Sequence, residues 1–106
     1  MEVKVLELNK MLKNKEVVLL DVREPYEIEI CNVKGSLFIP MNEIPQNIEQ
    51  LDREKRYAVM CHSGVRSLYV SNYLNSLGYS TLNVIGGIER WAIDVDKNMK
   101  LSLIHI

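Results

Sequence analysis

The sequence predicts an α/β domain of three layers, a mostly parallel central sheet of four to five strands with helices on both faces. Three observations carry that expectation. Short apolar runs of strand length alternate along the chain with segments of helical periodicity, the signature of parallel strands joined by crossover helices. At 106 residues the chain suits one domain, able to bury roughly two thirds of its unfolded surface in one core. No internal repeat, low-complexity tract or interior linker divides it, so residues 1–106 read as one unit, with 94–106 as an unassigned tail.

Each element has a local reason. Val3-Lys4-Val5 suits a short edge strand, and Leu6 to Lys13 carries Leu8, Met11 and Leu12 on one helical face. Val17-Val18-Leu19-Leu20, Leu37-Phe38-Ile39, Tyr57-Ala58-Val59-Met60 and Leu82-Asn83-Val84-Ile85 are rich in β-branched or aromatic residues and read as strands. Asn42 is expected to open a helix with Ile44, Ile48 and Leu51 inward. Val70, Tyr73, Leu74 and Leu77 fall at i, i+3, i+4, i+7, and Gly78 supplies a left-handed stop. Gly86-Gly87 turns into a last short helix through Trp91, which is expected to pack in the core. The tail begins with polar residues and ends in LSLIHI, readable as an extra edge strand or an unpacked end.

Bulk properties narrow the function. The chain is 47% hydrophobic and 25% charged with a net charge of −1, which gives no reason to expect nucleic acid or an anionic membrane as partner. No apolar stretch reaches the roughly 20 residues that span a bilayer, and MEVKVLELNK lacks a signal-peptide core; a cytoplasmic location is expected. Cysteines there stay reduced, so Cys31 and Cys61 are read as thiols. Two scattered histidines, His62 and His105, and no CxxC leave no pattern for a metal site.

The chemistry concentrates in VMCHSGVRSLYV at 59–70. Cys61 directly follows a predicted strand, and a helix is expected to begin near Val65 to Ser67. Ligands of open α/β sheets gather at such strand ends. The backbone amides of His62, Ser63, Gly64, Val65 and Arg66 can turn around the sulfur as an anion-binding nest at the positive end of the helix dipole. Gly64 permits the left-handed backbone this requires, and Arg66 adds a full positive charge. Such surroundings lower cysteine pKa values from about 8.5 to about 3.5–7.5, so an ionised, nucleophilic Cys61 is expected rather than a small buried hydrophobe. Cys31 has neither glycine loop nor cation in register and reads as a bystander. Four residues separate Cys61 from Arg66. Cysteine-dependent phosphatases and arsenate reductases close such loops with one residue more, and one residue spans up to about 3.6 Å. The tighter ring suits one extra sulfur better than a tetrahedral phosphate.

With these residues in place the chain resembles the rhodanese family, the single-domain thiosulfate sulfurtransferase-like proteins. The likeness runs from about Leu6 to Trp91 and rests on LLDVREPYE at 19–27, KGSLFIP at 34–40, CHSGVR at 61–66 and NVIGGIERW at 83–91. It implies a rhodanese-like fold and an enzyme that moves a sulfane sulfur through a Cys61 persulfide. The donor would be a small anion such as thiosulfate or a persulfide, the acceptor a thiol or sulfur-carrier protein, with no metal or organic cofactor. His62 to Val65 fall on the family's loop, Arg66 on its loop-closing arginine, and Asp21 and Arg23 on its DVR segment. In the family-like role Asp21 is a hydrogen-bond acceptor holding the Cys61 loop.

Several roles stay open at this level. Arg66 either binds the anionic donor or braces the loop against Asp21 or Glu24, the second being favoured. Arg23 is either at the cleft rim or a solvated charge. His62 raises the local potential or is an exposed loop side chain, and Ser63 either donates its hydroxyl toward a persulfide or is merely small. CNVKGS at 31–36 departs from the family's usual GHIPGA, putting Cys31 and Asn32 where glycine and histidine are usual. Cys31 could then serve as a resolving thiol, if close enough to bridge. The tail also departs from the family. A non-catalytic interaction or regulatory module is the alternative function, and a cysteine-dependent phosphatase a more remote one. Retention of Cys61 favours the enzyme.

Overall fold

A computed structural model describes residues 1–99 of the chain. The elements are β1 (Glu2–Val3), α1 (Val5–Lys13), β2 (Val18–Asp21), α2 (Pro25–Ile30), β3 (Leu37–Phe38), 3₁₀ turns at Met41–Glu43 and Pro45–Gln50, β4 (Arg56–Met60), α3 (Val65–Ser76), β5 (Ser80–Val84) and α4 (Gly87–Asp94). The sheet has five strands in the order β1-β5-β4-β2-β3, and all four pairings are parallel. Strand β4 is central, so the loop that follows it opens between the carboxyl ends of β2 and β5.

Side chains of each strand alternate between two apolar layers. Ala58 and Met60 of β4 face a cluster built from Val5, Leu8 and Met11 of α1 and Ile88 and Trp91 of α4. Tyr57, Val59 and Cys61 face the opposite cluster, with Val70 and Leu74 of α3 and Ile44 and Leu51 below the 3₁₀ turns. Trp91 is thus a core residue, as its position behind the double glycine suggests.

The expected helix after Asn42 is instead two 3₁₀ turns. Pro45 has no N–H to donate; farther on, Asn47 departs from helical geometry (φ −114°, ψ 19°). Ile44 and Leu51 are still buried there. In α3 the inward stripe is rotated from the apolar pattern: Ser67, Val70, Ser71 and Leu74 are buried, while Tyr73 and Leu77 are 41% and 38% exposed. Strand β5 explains the rotation, because it presents Thr81 and Asn83 to this face. The Ser71 and Thr81 hydroxyls lie 2.6 Å apart, so the buried serines are hydrogen-bonded. Gly78 closes the segment with φ +94°, the left-handed stop expected of it.

Helix α2 has no apolar periodicity to announce it. Its signals are Pro25 at the first turn and Glu27, whose carboxylate accepts the Glu24 amide at 2.9 Å. Asn32, in the family's histidine position, donates to the Ile28 carbonyl at 3.0 Å and so ties down the end of α2. Val95 and Met99 pack on the α1–α4 layer, and the LSLIHI strand considered above lies outside the described residues.

Candidate active site

The loop from Cys61 to α3 is held from three directions. Cys61 sits at the end of β4, 1% exposed. The Gly64 amide donates to its Sγ at 3.0 Å. Gly64 has φ +115°, a conformation L side chains rarely adopt, and it is what folds the chain back over the sulfur. The amides of His62, Ser63, Val65 and Arg66 find no acceptor among the described residues, as expected of a turn running into a helix N-terminus. The loop therefore carries one amide on the sulfur and four more uncommitted donors.

From below, the first turn of α4 holds the loop's carbonyls. Ile88 donates its amide to the Cys61 carbonyl at 2.9 Å and Glu89 to that of His62 at 3.1 Å. This contact requires Gly87 (φ +56°): a Cβ there would overlap the carbonyl oxygens of Cys61 and His62 and sit 2.5 Å from the His62 carbonyl carbon. The His62 ring lies 3.7 Å from the Glu89 carboxylate, an ion pair only when the imidazole is protonated.

From the side, Arg66 is clamped by Glu27. Its two terminal nitrogens reach the two carboxylate oxygens at 2.7 and 2.9 Å, a fork-to-fork pair. Bracing is thus the arrangement observed, but the partner is Glu27 of α2 and not Asp21 or Glu24. Burial pushes the Glu27 carboxyl up, yet the Arg66 hydrogen bonds, the Glu24 amide and the Arg66 charge outweigh it and hold it below the ordinary range. A depressed carboxylate contributes stability that is complete above its unfolded value of about 4.5 and is lost as pH falls through the lower folded value. Replacing Glu27 with Gln should therefore cost about 2 kcal/mol at pH 7. That deficit should shrink as pH falls from about 4.5 toward the lower folded value, where the wild-type carboxylate takes up its proton. Chemical denaturation at pH 7 and pH 3 measures the difference.

Asp21 and Arg23 do not reach the loop. Arg23 is 1% exposed rather than at a rim or in solvent. Its Nε and Nη2 donate to Asp21 at 3.0 and 2.8 Å, and Nη2 also donates to the Cys31 carbonyl at 2.9 Å. Burial pulls the guanidinium pKa down, but the Asp21 carboxylate more than restores it. Strand parity is the reason. Leu19 and Asp21 point to the α1–α4 side, while Leu20 and Val22 share the Cys61 side. Asp21 therefore anchors Arg23 and the α2 exit, not the cysteine loop.

The same parity separates the thiols. Cys31 packs against the α1–α4 cluster and Cys61 against the α3 cluster, and both are free. The structure does not bring them together as a resolving pair. Ser63 is exposed and its hydroxyl makes no bond to the sulfur. The hydroxyl that does is Ser67, 3.4 Å from Cys61 Sγ, which in turn donates to Asn83 of β5. Glu27, Ser67 and Asn83 were missed at the level of sequence. Of the three only Glu27 left a signal, its spacing from Glu24 ahead of a helix.

Among the described residues no cluster of three or more His, Cys, Asp or Glu side chains could hold a metal ion, and no helix is long and apolar enough to cross a membrane.

A doubly covered parallel sheet with a single thiol in a glycine-shaped loop, between its central strand and a helix, defines a class of cysteine-loop α/β domains. Comparison with known proteins specifies the class. The model of the rhodanese-like domain matches residues 4–94, and the chain belongs to that family. It is 39% identical over 82 residues to the putative sulfurtransferase YtwF of Bacillus subtilis, covering 77% of this chain and 80% of that protein. Thiosulfate sulfurtransferase GlpE of Tolumonas auensis is 34% identical over 82 residues, with 76% and 77% covered. Among solved structures, a rhodanese-related protein from Thermoplasma volcanium superposes with a TM-score of 0.84 at 33% identity, covering 89% of this chain and 92% of that one.

Proposed function

We propose that the protein is a sulfurtransferase that carries a sulfane sulfur on Cys61. The observation that supports it is the loop itself: a sulfur held by the Gly64 amide, beneath four amides with no acceptor among the described residues. The names of the relatives point the same way.

In the first half-reaction the Cys61 thiol loses its proton to solvent and the thiolate attacks the outer sulfur of thiosulfate. A sulfur–sulfur bond forms as the donor's own breaks, and sulfite leaves with the electron pair. The persulfide then presents a terminal anionic sulfur to the uncommitted loop amides, which stabilise it without any metal or organic cofactor. In the second half-reaction an acceptor thiolate, on a small thiol or a sulfur-carrier protein, attacks that outer sulfur and Cys61 leaves as thiolate. Ping-pong kinetics follow. A thiol with so little exposure suits this chemistry, because a single slender sulfur is all that must reach it. Arg66, tied to Glu27, holds the loop's entry into α3 and places positive charge beside it.

Intact mass after incubation with thiosulfate tests the proposal. The expected result is a gain of one sulfur atom, mapped to Cys61 by peptide analysis and removed by cyanide. No gain, or a gain mapped to Cys31, would overturn it. Turnover of an aryl phosphate in its place would identify the phosphatase reading.

A further inference from the structure

Two groups touch Cys61 Sγ, the Gly64 amide and the Ser67 hydroxyl, and one buried side chain holds both of them. Asn83, 4% exposed on β5, donates through Nδ2 to the Gly64 carbonyl at 3.3 Å and accepts the Ser67 hydroxyl at Oδ1. Its placement follows from register. Asn83 stands opposite Val59, two residues before Cys61 and on the same face, so its amide reaches the underside of the loop. An apolar residue would otherwise suit this buried strand position. An amide buried here is explained by having both its ends used.

We propose that Asn83 and Ser67 are positioning residues that set the reactivity of Cys61. This rests on the sulfurtransferase reading only for its benefit to catalysis; the effect on the thiol is independent of any sulfur donor. While Ser67 donates to Asn83, its oxygen can only accept from the sulfur, an arrangement that suits the S–H form. When the proton leaves, the hydroxyl can turn and donate to the thiolate, next to the Gly64 amide that already does. Asn83 holds that hydroxyl while the thiol is protonated and holds the Gly64 peptide in both states. The titratable and charged groups around the thiol are His62 in the loop, Glu89 of α4 against His62, and Arg66 of α3 with Glu27 of α2. All four are left in place by changes at 67 and 83.

The test is the pH profile of Cys61 alkylation by iodoacetamide, in which the thiolate displaces iodide, followed by mass spectrometry at that residue. Ser67→Ala removes the hydroxyl at a helical position that alanine favours. Asn83→Asp keeps the shape and the acceptor but loses the donor to Gly64 and adds a negative charge. Ser67→Ala should move the profile up by about one pH unit, near tenfold slower at pH values below both midpoints, and Asn83→Asp by more. In the thiosulfate assay both should lower kcat more than they raise KM. Ser67→Thr, which retains the hydroxyl, should restore the wild-type profile. Wild-type profiles in Ser67→Ala and Asn83→Asp, with melting temperatures also unchanged, would overturn the proposal. So would a loss of melting temperature without a shift in the profile. No uptake of sulfur from thiosulfate by the wild-type protein, together with these shifts in the variants, would overturn the sulfurtransferase reading and leave this one standing.

Discussion

Cys61→Ser is expected to lower thiosulfate-dependent sulfur transfer by at least about 10⁴-fold, to the background of the assay, while the protein stays folded. The oxygen can still accept the Gly64 amide, so the loop keeps its main internal contact, and the change in size at a buried site is small. Chemistry is what fails. A serine hydroxyl is not ionised near neutral pH, and an alkoxide attacks a sulfane sulfur poorly. Thermal unfolding should move by only a few degrees, which separates loss of the nucleophile from loss of the fold. If the serine variant still transferred sulfur, Cys31 would have to be the carrier. Its contact with the Arg23 guanidinium on the other face of the sheet gives it no such loop.

Gly87→Ala is expected to damage stability and activity together. Its backbone lies in the left-handed region, and its missing Cβ is the space occupied by the Cys61 and His62 carbonyls. Alanine there adds backbone strain and a clash with main chain, which cannot rotate away as a side chain can. The combined cost should be about 3 kcal/mol, or roughly 15 °C in melting temperature for a domain of this size. The loop can relieve the clash only by moving off α4, giving up the bonds from Ile88 and Glu89. Displacement by about 1 Å is worth roughly a hundredfold in kcat/KM. A variant that melts like wild type and retains its activity would show that the α4 turn does not hold the loop. A contrasting change at Gly35 should be milder, since a Cβ there meets nothing within 4 Å despite φ +88°.

These two residues differ in how visible they are before folding. Cys61 follows a strand-length apolar run and precedes a glycine and an arginine, so its site can be located by spacing along the chain. Gly87 is legible as half of a turn, but its service to the Cys61 loop is not, because the two are brought together only when α4 docks under β4. The same holds for the ion pairs. The residues of DVREPYE are adjacent in sequence, yet alternation sends Asp21 to one face, and Arg23 folds back onto it. Glu27, placed by the first turn of α2, takes the loop arginine instead. Sequence distance suggests Asp21 or Glu24 as readily as Glu27, and only the packing of α2 beside α3 chooses among them.

The amino-acid order alone determined the alternation of strands and helices, the parallel sheet this requires, and the thiol placed where such sheets bind ligands. Those follow from local periodicity and turn chemistry, which act within a few residues. Tertiary structure decided which polar groups hold the sulfur and its loop. Ser67, Asn83 and the α4 amides lie 6 to 28 positions from Cys61, and a contact between elements depends on register and docking that no local pattern encodes.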